Sequence, residues 1–243
     1  MNLIVDVGNS YVKFAVFEQG RLIYKLNSEQ STFEDNLETI RKNFSHIKKA
    51  IVSSVGRLKV SQIEQAKKYF DVLILSSDVK FPFKNLYKTP KTLGVDRIAL
   101  VSASVKQFPD KNTLIVDMGT CITYDFINSK NEYFGGAISP GIRLRYKSLH
   151  NLTANLPLLD TESPKGLIGN STADAIHSGV INGVIKEIDG IIDEYRKKYS
   201  DLTVILTGGD ANFLSNQLKN SIFANSNFLL EGLNFILEFN TDK

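Results

Sequence analysis

Leu3-Ile4-Val5-Asp6-Val7-Gly8-Asn9-Ser10-Tyr11-Val12-Lys13-Phe14-Ala15-Val16-Phe17 returns in outline as Leu114-Ile115-Val116-Asp117-Met118-Gly119-Thr120-Cys121-Ile122-Thr123-Tyr124-Asp125-Phe126. Each copy reads as an apolar strand that ends in Asp-x-Gly and turns into a second β-rich run. The string Leu-Ile-Val-Asp-x-Gly is identical at five of six places, and the two aspartates stand 111 residues apart. Turn residues follow each second run, Glu18-Gln19-Gly20 in the first copy and Asn128-Ser129-Lys130-Asn131 in the second, and a third run begins after them. A hairpin repeated at this distance points to a duplicated architecture, with one domain over residues 1–110 and another over 111–243.

Outside the hairpins, helical and strand patterns alternate. Residues 31–44 and 60–70 read as helices, 49–55 and 71–76 as buried strands. Residues 172–199 form a long helical pattern in which Ala173, Ile176, Val180, Val184, Ile188, Ile191, Ile192 and Tyr195 recur at three- and four-residue steps. Ile181 and Ile185 fall off that stripe, so a second apolar face is expected there. With Gly179 and Gly183 permitting close approach, that face suggests a homodimer. Residues 202–206 read as a strand ending in Thr207-Gly208-Gly209-Asp210, before a helical run over 211–218. The expected fold class is α/β: mixed sheets flanked by helices, with antiparallel hairpin strands and a cleft between the halves.

The 243 residues are 42% hydrophobic and carry a net charge of +3, which suits a folded chain with a sizeable core. The basic clusters Arg143-Leu144-Arg145-Tyr146-Lys147 and Arg196-Lys197-Lys198 are too short for a nucleic-acid stripe, so no nucleic-acid partner is expected. One cysteine, Cys121, allows neither an internal disulfide nor a thiolate zinc site, and His46, His150 and His177 share no metal-ligand spacing. No apolar run approaches a membrane span of ~20 residues, and no signal-type segment precedes Asp6, so a cytoplasmic protein without a membrane partner is expected.

The chemistry sits in the turns. At the end of a strand, Asp6 can hold a hydrated Mg2+, directly or through water. The turn amides, with the Asn9 and Ser10 side chains, can cradle phosphate oxygens, and Lys13 can neutralise phosphate charge. Asp117-Met118-Gly119-Thr120 offers the same groups from the second half. Either string alone also occurs in plain hairpins; two copies facing across a cleft can grip a triphosphate. The diglycine 208–209 admits a flat or anionic ligand, though a simple strand-to-helix turn would use it too. Gly94-Val95-Asp96-Arg97 opens a helical run. There Asp96 can accept a proton from an attacking hydroxyl and Arg97 can fork onto an anionic group, although acids in a first helical turn are often structural. Gly135-Gly136-Ala137-Ile138-Ser139-Pro140-Gly141 marks a rigid turn. In Gly169-Asn170-Ser171-Thr172, either hydroxyl can cap the long helix.

In order and spacing, these strings resemble the type III pantothenate kinases. They run Asp6-x-Gly-Asn-Ser, Tyr87-x-x-Pro90-x-x-Leu-Gly94-x-Asp96-Arg97, Asp117-x-Gly-Thr120, Gly135-Gly136-x-Ile-x-Pro-Gly141, Thr153-Ala154-x-Leu156-Pro157, Gly169-x-x-Thr172 and Thr207-Gly208-Gly209. The resemblance implies duplicated actin-like (ribonuclease H-like) domains. It also implies ATP-dependent phosphorylation of pantothenate to 4′-phosphopantothenate, the first step of coenzyme A synthesis. By this likeness Asp6, Val7, Gly8, Asn9, Ser10, Tyr11, Val12, Lys13 and Thr120 bind ATP, and Asp96 is the proton acceptor. Tyr87, Gly94, Val95, Asp96, Arg97 and Thr172 meet pantothenate, Thr172 across a dimer interface. Asp117 helps hold a monovalent cation, K+ or NH4+, beside the Mg2+. Cys121 stands where the family often has Ala, one small buried residue for another, and Ser171 where it often has Asn. Another kinase of the superfamily, acting on a sugar or acetate, is disfavoured by the Tyr87-to-Arg97 string. A non-catalytic transcription accessory relative is disfavoured by the presence of every acidic residue the chemistry needs.

Overall fold

The computed structural model describes residues 1–8, 11–54 and 58–241. The chain divides into two compact units. Unit 1 comprises residues 1–109, 131–133 and 227–243; unit 2 comprises 110–130 and 134–226.

In unit 1, β1 (Asn2–Val7), β2 (Val12–Glu18) and β3 (Arg21–Ser28) form an antiparallel meander, and β4 (Lys49–Ser54) and β5 (Asp71–Ile74) add parallel strands on the other side of β1. The order is β3-β2-β1-β4-β5. Helices α1 (Phe33–Asn43) and α2 (Val60–Tyr69) link β3, β4 and β5. The sheet's period-2 pattern sends Leu3, Val5, Val7, Phe14 and Val16 to the face where Phe33, Leu37, Ile40 and Ala66 of these helices pack. The short strand β6 (Lys84–Asn85) and α3 (Val95–Gln107) follow.

Unit 2 repeats the plan. The meander is β7 (Thr113–Met118), β8 (Cys121–Ile127) and β9 (Glu132–Pro140), and β6 pairs with the first residues of β9, which belong to unit 1. Then come α4 (Ile142–Asn151), α5 (Thr172–His177), α6 (Gly183–Lys198), β10 (Thr203–Thr207), α7 (Ala211–Ser215) and β11 (Phe223–Ala224). The strand order β9-β8-β7-β10-β11 is that of unit 1 element for element. Leu114, Val116, Met118, Ile122, Tyr124 and Phe126 meet α4, α5 and α6 on one face.

Three sequence expectations change. The last helix, α8 (Phe228–Thr241), falls within the 111–243 half expected as one domain, yet it belongs to unit 1. It crosses β1 and β4 and packs on α3, with Gly232 so close to Ala99 that a Cβ would lie 1.9 Å from that carbonyl oxygen. Asn234 accepts a 2.8 Å hydrogen bond from the Asn2 amide. The long helix over 172–199 is interrupted by a wide π turn, Ser178–Asn182. That turn adds about one residue to the repeat and rotates the helix beyond it. Ile181 and Ile185 therefore lie buried in the unit 2 core, and the second apolar face expected at those residues is absent. The helix expected over 211–218 stops at Ser215. The buried Asp189 carboxylate accepts from the Lys219 and Asn220 amides, both at 3.2 Å, and draws the chain away.

Candidate active site

Strand β1 delivers Asp6 to the edge of its turn. Lys13 lies directly across on β2 and Ser53 across on β4. The Lys13 ammonium donates to Asp6 Oδ2 at 3.4 Å. Asp6 is buried, and burial pushes its carboxyl above the usual range; Lys13 opposes the shift, and the charge of Asp96 adds to it. The topology thus brings Asp6 and Asp96 close enough to feel each other within unit 1. The turn closes through the Gly8 amide, which donates to the Tyr11 carbonyl at 3.0 Å, leaving Tyr11 exposed and Val12 buried at the start of β2. Asn9 and Ser10, read from the sequence as phosphate contacts, lie outside the described residues.

Asp96 occupies the first turn of α3, after Gly94 and Val95. Its Oδ1 accepts from the Arg97 amide at 2.8 Å, so the structural reading of this acid is correct for one oxygen. Gly94 makes the fold-back possible: a Cβ there would stand 2.3 Å from Asp96 Oδ1. Among the described residues no hydrogen bond to Oδ2 accompanies it. The buried Arg97 guanidinium lies 5.6 Å from the Tyr87 ring centroid, a cation–π stack. Tyr87 stacks in turn on Tyr133, with centroids 6.2 Å apart. Asp6, Lys13, Tyr87, Gly94, Val95, Asp96 and Arg97 all belong to unit 1.

In unit 2, Asp117 is the penultimate residue of β7 and Gly119 and Thr120 make the turn, with the Gly119 amide donating to the Cys121 carbonyl at 3.0 Å. Thr120 and Cys121 are exposed. Cys121 is therefore not the small buried residue expected, because it opens β8 beyond the packed part of the strand. Thr123 and Thr207 flank Asp117 on its two neighbouring strands. Thr172 also differs from one of its expected roles. Ser171 is the cap of α5, accepting from the Asp174 amide at 3.1 Å and donating to Asp174 Oδ2 at 2.6 Å. Thr172 is left exposed on a cavity of ≈ 640 Å³ lined also by Arg145, Leu149, Leu156, Ile176 and Val180.

The stretch 135–141, expected as a rigid turn, is strand as far as Pro140, and residues the motifs did not single out tie the end of that strand to α6. Arg145 donates to Glu187 Oε2 at 2.5 Å, to the Pro140 carbonyl at 2.9 Å and to Ser139 Oγ at 3.0 Å. Tyr124 donates to Glu187 Oε1 at 2.8 Å. Burial pushes the Glu187 carboxyl up, but the bonds from Arg145 and Tyr124 hold it below the usual range. The i, i+42 separation of Arg145 and Glu187 leaves no sequence signal for this clamp.

Among the described residues, no three His, Cys, Asp or Glu side chains gather as a metal cluster. Mg2+ asks for less, because one or two carboxylates and the substrate phosphates usually suffice. The buried Asp6, with the charge of Asp96 acting on it and Lys13 at 3.4 Å, fits that demand. A hard monovalent cation needs oxygen donors, and Asp117 between two threonines supplies them.

Residues 2–194 match the family described as type III pantothenate kinase. The chain belongs to the type III pantothenate kinase family. A type III pantothenate kinase from Christiangramia forsetii is 55% identical over 99% of each chain. A solved structure from Campylobacter jejuni, assigned to the Baf family of transcriptional activators, has a TM-score of 0.64 at 24% identity and covers 99% of this chain and 100% of its own. A glucokinase from an Antarctic psychrotroph has a TM-score of 0.55 at 12% identity over 98% of each chain. Likeness at these low identities concerns the fold, and with the repeated strand order it gives duplicated actin-like domains. Among the described residues, no helix is long and apolar enough to cross a membrane.

Proposed function

We propose that this chain transfers the γ-phosphoryl group of ATP to the terminal hydroxyl of pantothenate, giving 4′-phosphopantothenate and ADP, and that Asp96 is its general base. The observation that carries the site assignment is that the Asp96 charge, ninety residues on, acts on the buried Asp6 carboxyl within unit 1, with the Arg97–Tyr87 stack next to Asp96. Asp96 Oδ1 is anchored on the Arg97 amide, which fixes the carboxylate's orientation. Oδ2 then accepts the hydroxyl proton as the new O–P bond forms and the bond to ADP breaks. Arg97, held on the Tyr87 face, anchors the pantothenate carboxylate. Asp6, Lys13 and Gly8 hold ATP phosphates, and Thr120 contacts ATP. Asp6 would hold Mg2+ and Asp117 a monovalent cation, K+ or NH4+; bound there, they neutralise charge that develops on the transferring group. Positioning and charge neutralisation supply most of the acceleration in such transfers.

ADP release measured with pantothenate, glucose and acetate tests the reading. Turnover with pantothenate and not the others is expected, and preference for a sugar or acetate would overturn it.

A second copy of the chain completes the site in this reading. With Ile181 and Ile185 buried, the surface for it is the apolar stretch beside Thr172, where Leu152, Leu167 and Ile168 are 83%, 78% and 89% exposed. Thr172 then reaches the pantothenate held by the other copy. Sedimentation at low micromolar concentration is expected to give a dimer. The double variant Leu167→Glu, Ile168→Glu is expected to give a monomer with a raised KM for pantothenate. A fully active wild-type monomer would remove the dimer from the mechanism.

A further inference from the structure

The stack on Arg97 does not end at Tyr87. Tyr87 lies on Tyr133 with the two rings inclined by 26°. Tyr133 meets the Phe83 ring edge-on at 5.8 Å, and Phe83 stacks on Phe81 at 5.5 Å. Tyr133 is the hub of this run and the most enclosed of the four rings, with 0% exposure.

Tyr133 lies outside the Tyr87-to-Arg97 string. It ends the 131–133 segment that unit 1 takes from the second hairpin. Backbone pairing puts it there. The Lys84 amide donates to the Asn131 carbonyl at 2.8 Å and the Leu86 amide to the Tyr133 carbonyl at 2.9 Å. Asn85 is the register partner of Tyr133, and Asn85 Oδ1 accepts from the Tyr87 amide at 3.0 Å. The β6–β9 ladder therefore fixes both the Tyr87 backbone and the ring on which Tyr87 rests.

A guanidinium grips a carboxylate through a planar fork, so the plane must be set for the grip to form. Rings in offset contact at these distances attract one another, and a ring attracts a cation over its face. A ring that is itself held by a second ring sets the guanidinium before substrate arrives, which lowers the cost of binding.

We propose that Tyr133 is a positioning residue for pantothenate: through Tyr87 it fixes the Arg97 guanidinium for the substrate carboxylate. The proposal rests on the reading of Arg97 as the carboxylate anchor. A group that acts on substrate binding alone raises KM and leaves kcat in place.

The test is equilibrium binding of radiolabelled pantothenate, with steady-state kinetics for both substrates. Tyr133→Leu is expected to weaken pantothenate binding and raise its KM by about tenfold, the scale of a buried cation–π contact. The kcat and the KM for ATP are expected to stay within about twofold of wild type. Tyr133→Phe keeps the ring and is expected to bind pantothenate as wild type does. Arg97→Lys keeps the charge and loses the fork, so it is expected to weaken binding by itself. Tyr133→Leu added to Arg97→Lys is then expected to cost nothing further. The proposal is overturned by a Tyr133→Leu loss that falls equally on ATP or on kcat, or that persists undiminished on top of Arg97→Lys. A Tyr133→Phe protein as weak as Tyr133→Leu overturns it too, by making the hydroxyl rather than the ring the active part. An Arg97→Lys protein that binds pantothenate like wild type would instead remove the anchor on which the proposal rests. Wild-type pantothenate affinity in folded Tyr133→Leu, or in Tyr133→Met should the leucine variant not fold, also overturns it.

Discussion

Asp96→Asn is expected to lower kcat by ~10²–10⁴-fold, the usual cost of losing a general base, while the protein stays folded. The amide oxygen can still accept from the Arg97 amide, as Oδ1 does at 2.8 Å, so the first turn of α3 keeps that hydrogen bond. The other amide atom is an NH2 group, a donor that cannot take the proton of an incoming hydroxyl. Steady-state kinetics together with a melting curve separate the two roles. A variant with near-normal kcat would make Asp96 a structural residue of the first turn of α3 and nothing more.

Asp6→Asn is expected to move activity and stability in opposite directions. Burial disfavours the Asp6 carboxylate, Lys13 offsets this in part and Asp96 worsens it, so its pKa is raised in the folded chain. A carboxyl raised on folding binds its proton more tightly in the native state than in the unfolded one. Stability therefore falls as pH climbs from the ordinary carboxylate range through the raised folded value, and the cost is in full force above that value. Asn removes the charge that burial penalises. The ligand-free variant should melt higher at neutral pH, by ~2–4 °C for each kcal/mol regained in a chain of this size. The advantage should vanish in acid, where Asp6 is itself protonated. Activity should fall by ~10²–10³-fold, the scale of losing one electrostatic group that acts on the transferring charge. Parallel melting and rate measurements across pH decide it. A variant that melts lower at every pH would make Asp6–Lys13 a structural ion pair.

Much of this was legible in the residues because strands and turns are local. The repeated Leu-Ile-Val-Asp-x-Gly string marks β1 and β7 and places both carboxylates at strand ends, where they are found. The approach of Asp96 to Asp6 was not legible from periodicity, since it depends on how α3 returns to β1. Nor was the fate of Ile181 and Ile185. Spacing assumes an unbroken helix, and the π turn at Ser178–Asn182 rephases it, held by Ser178 Oγ on the Leu167 carbonyl at 2.6 Å. For α8 the apolar residues Leu230, Leu233, Ile236 and Leu237 carry helical spacing, yet nothing in them says which half they will cover. Thr123 reads as an ordinary β-former until the register sets it opposite Asp117.

The return of α8 to unit 1 also fixes an order of events at the ribosome. Helix α8, Phe228–Thr241, which packs on β1 and β4, is translated only after all of unit 2. At ~5–20 residues per second, the 117 residues between 110 and 226 take on the order of 6–23 s to be made. For that interval the first-made sheet waits with an uncovered apolar flank, so the half of the enzyme that is synthesised first is the half that is finished last.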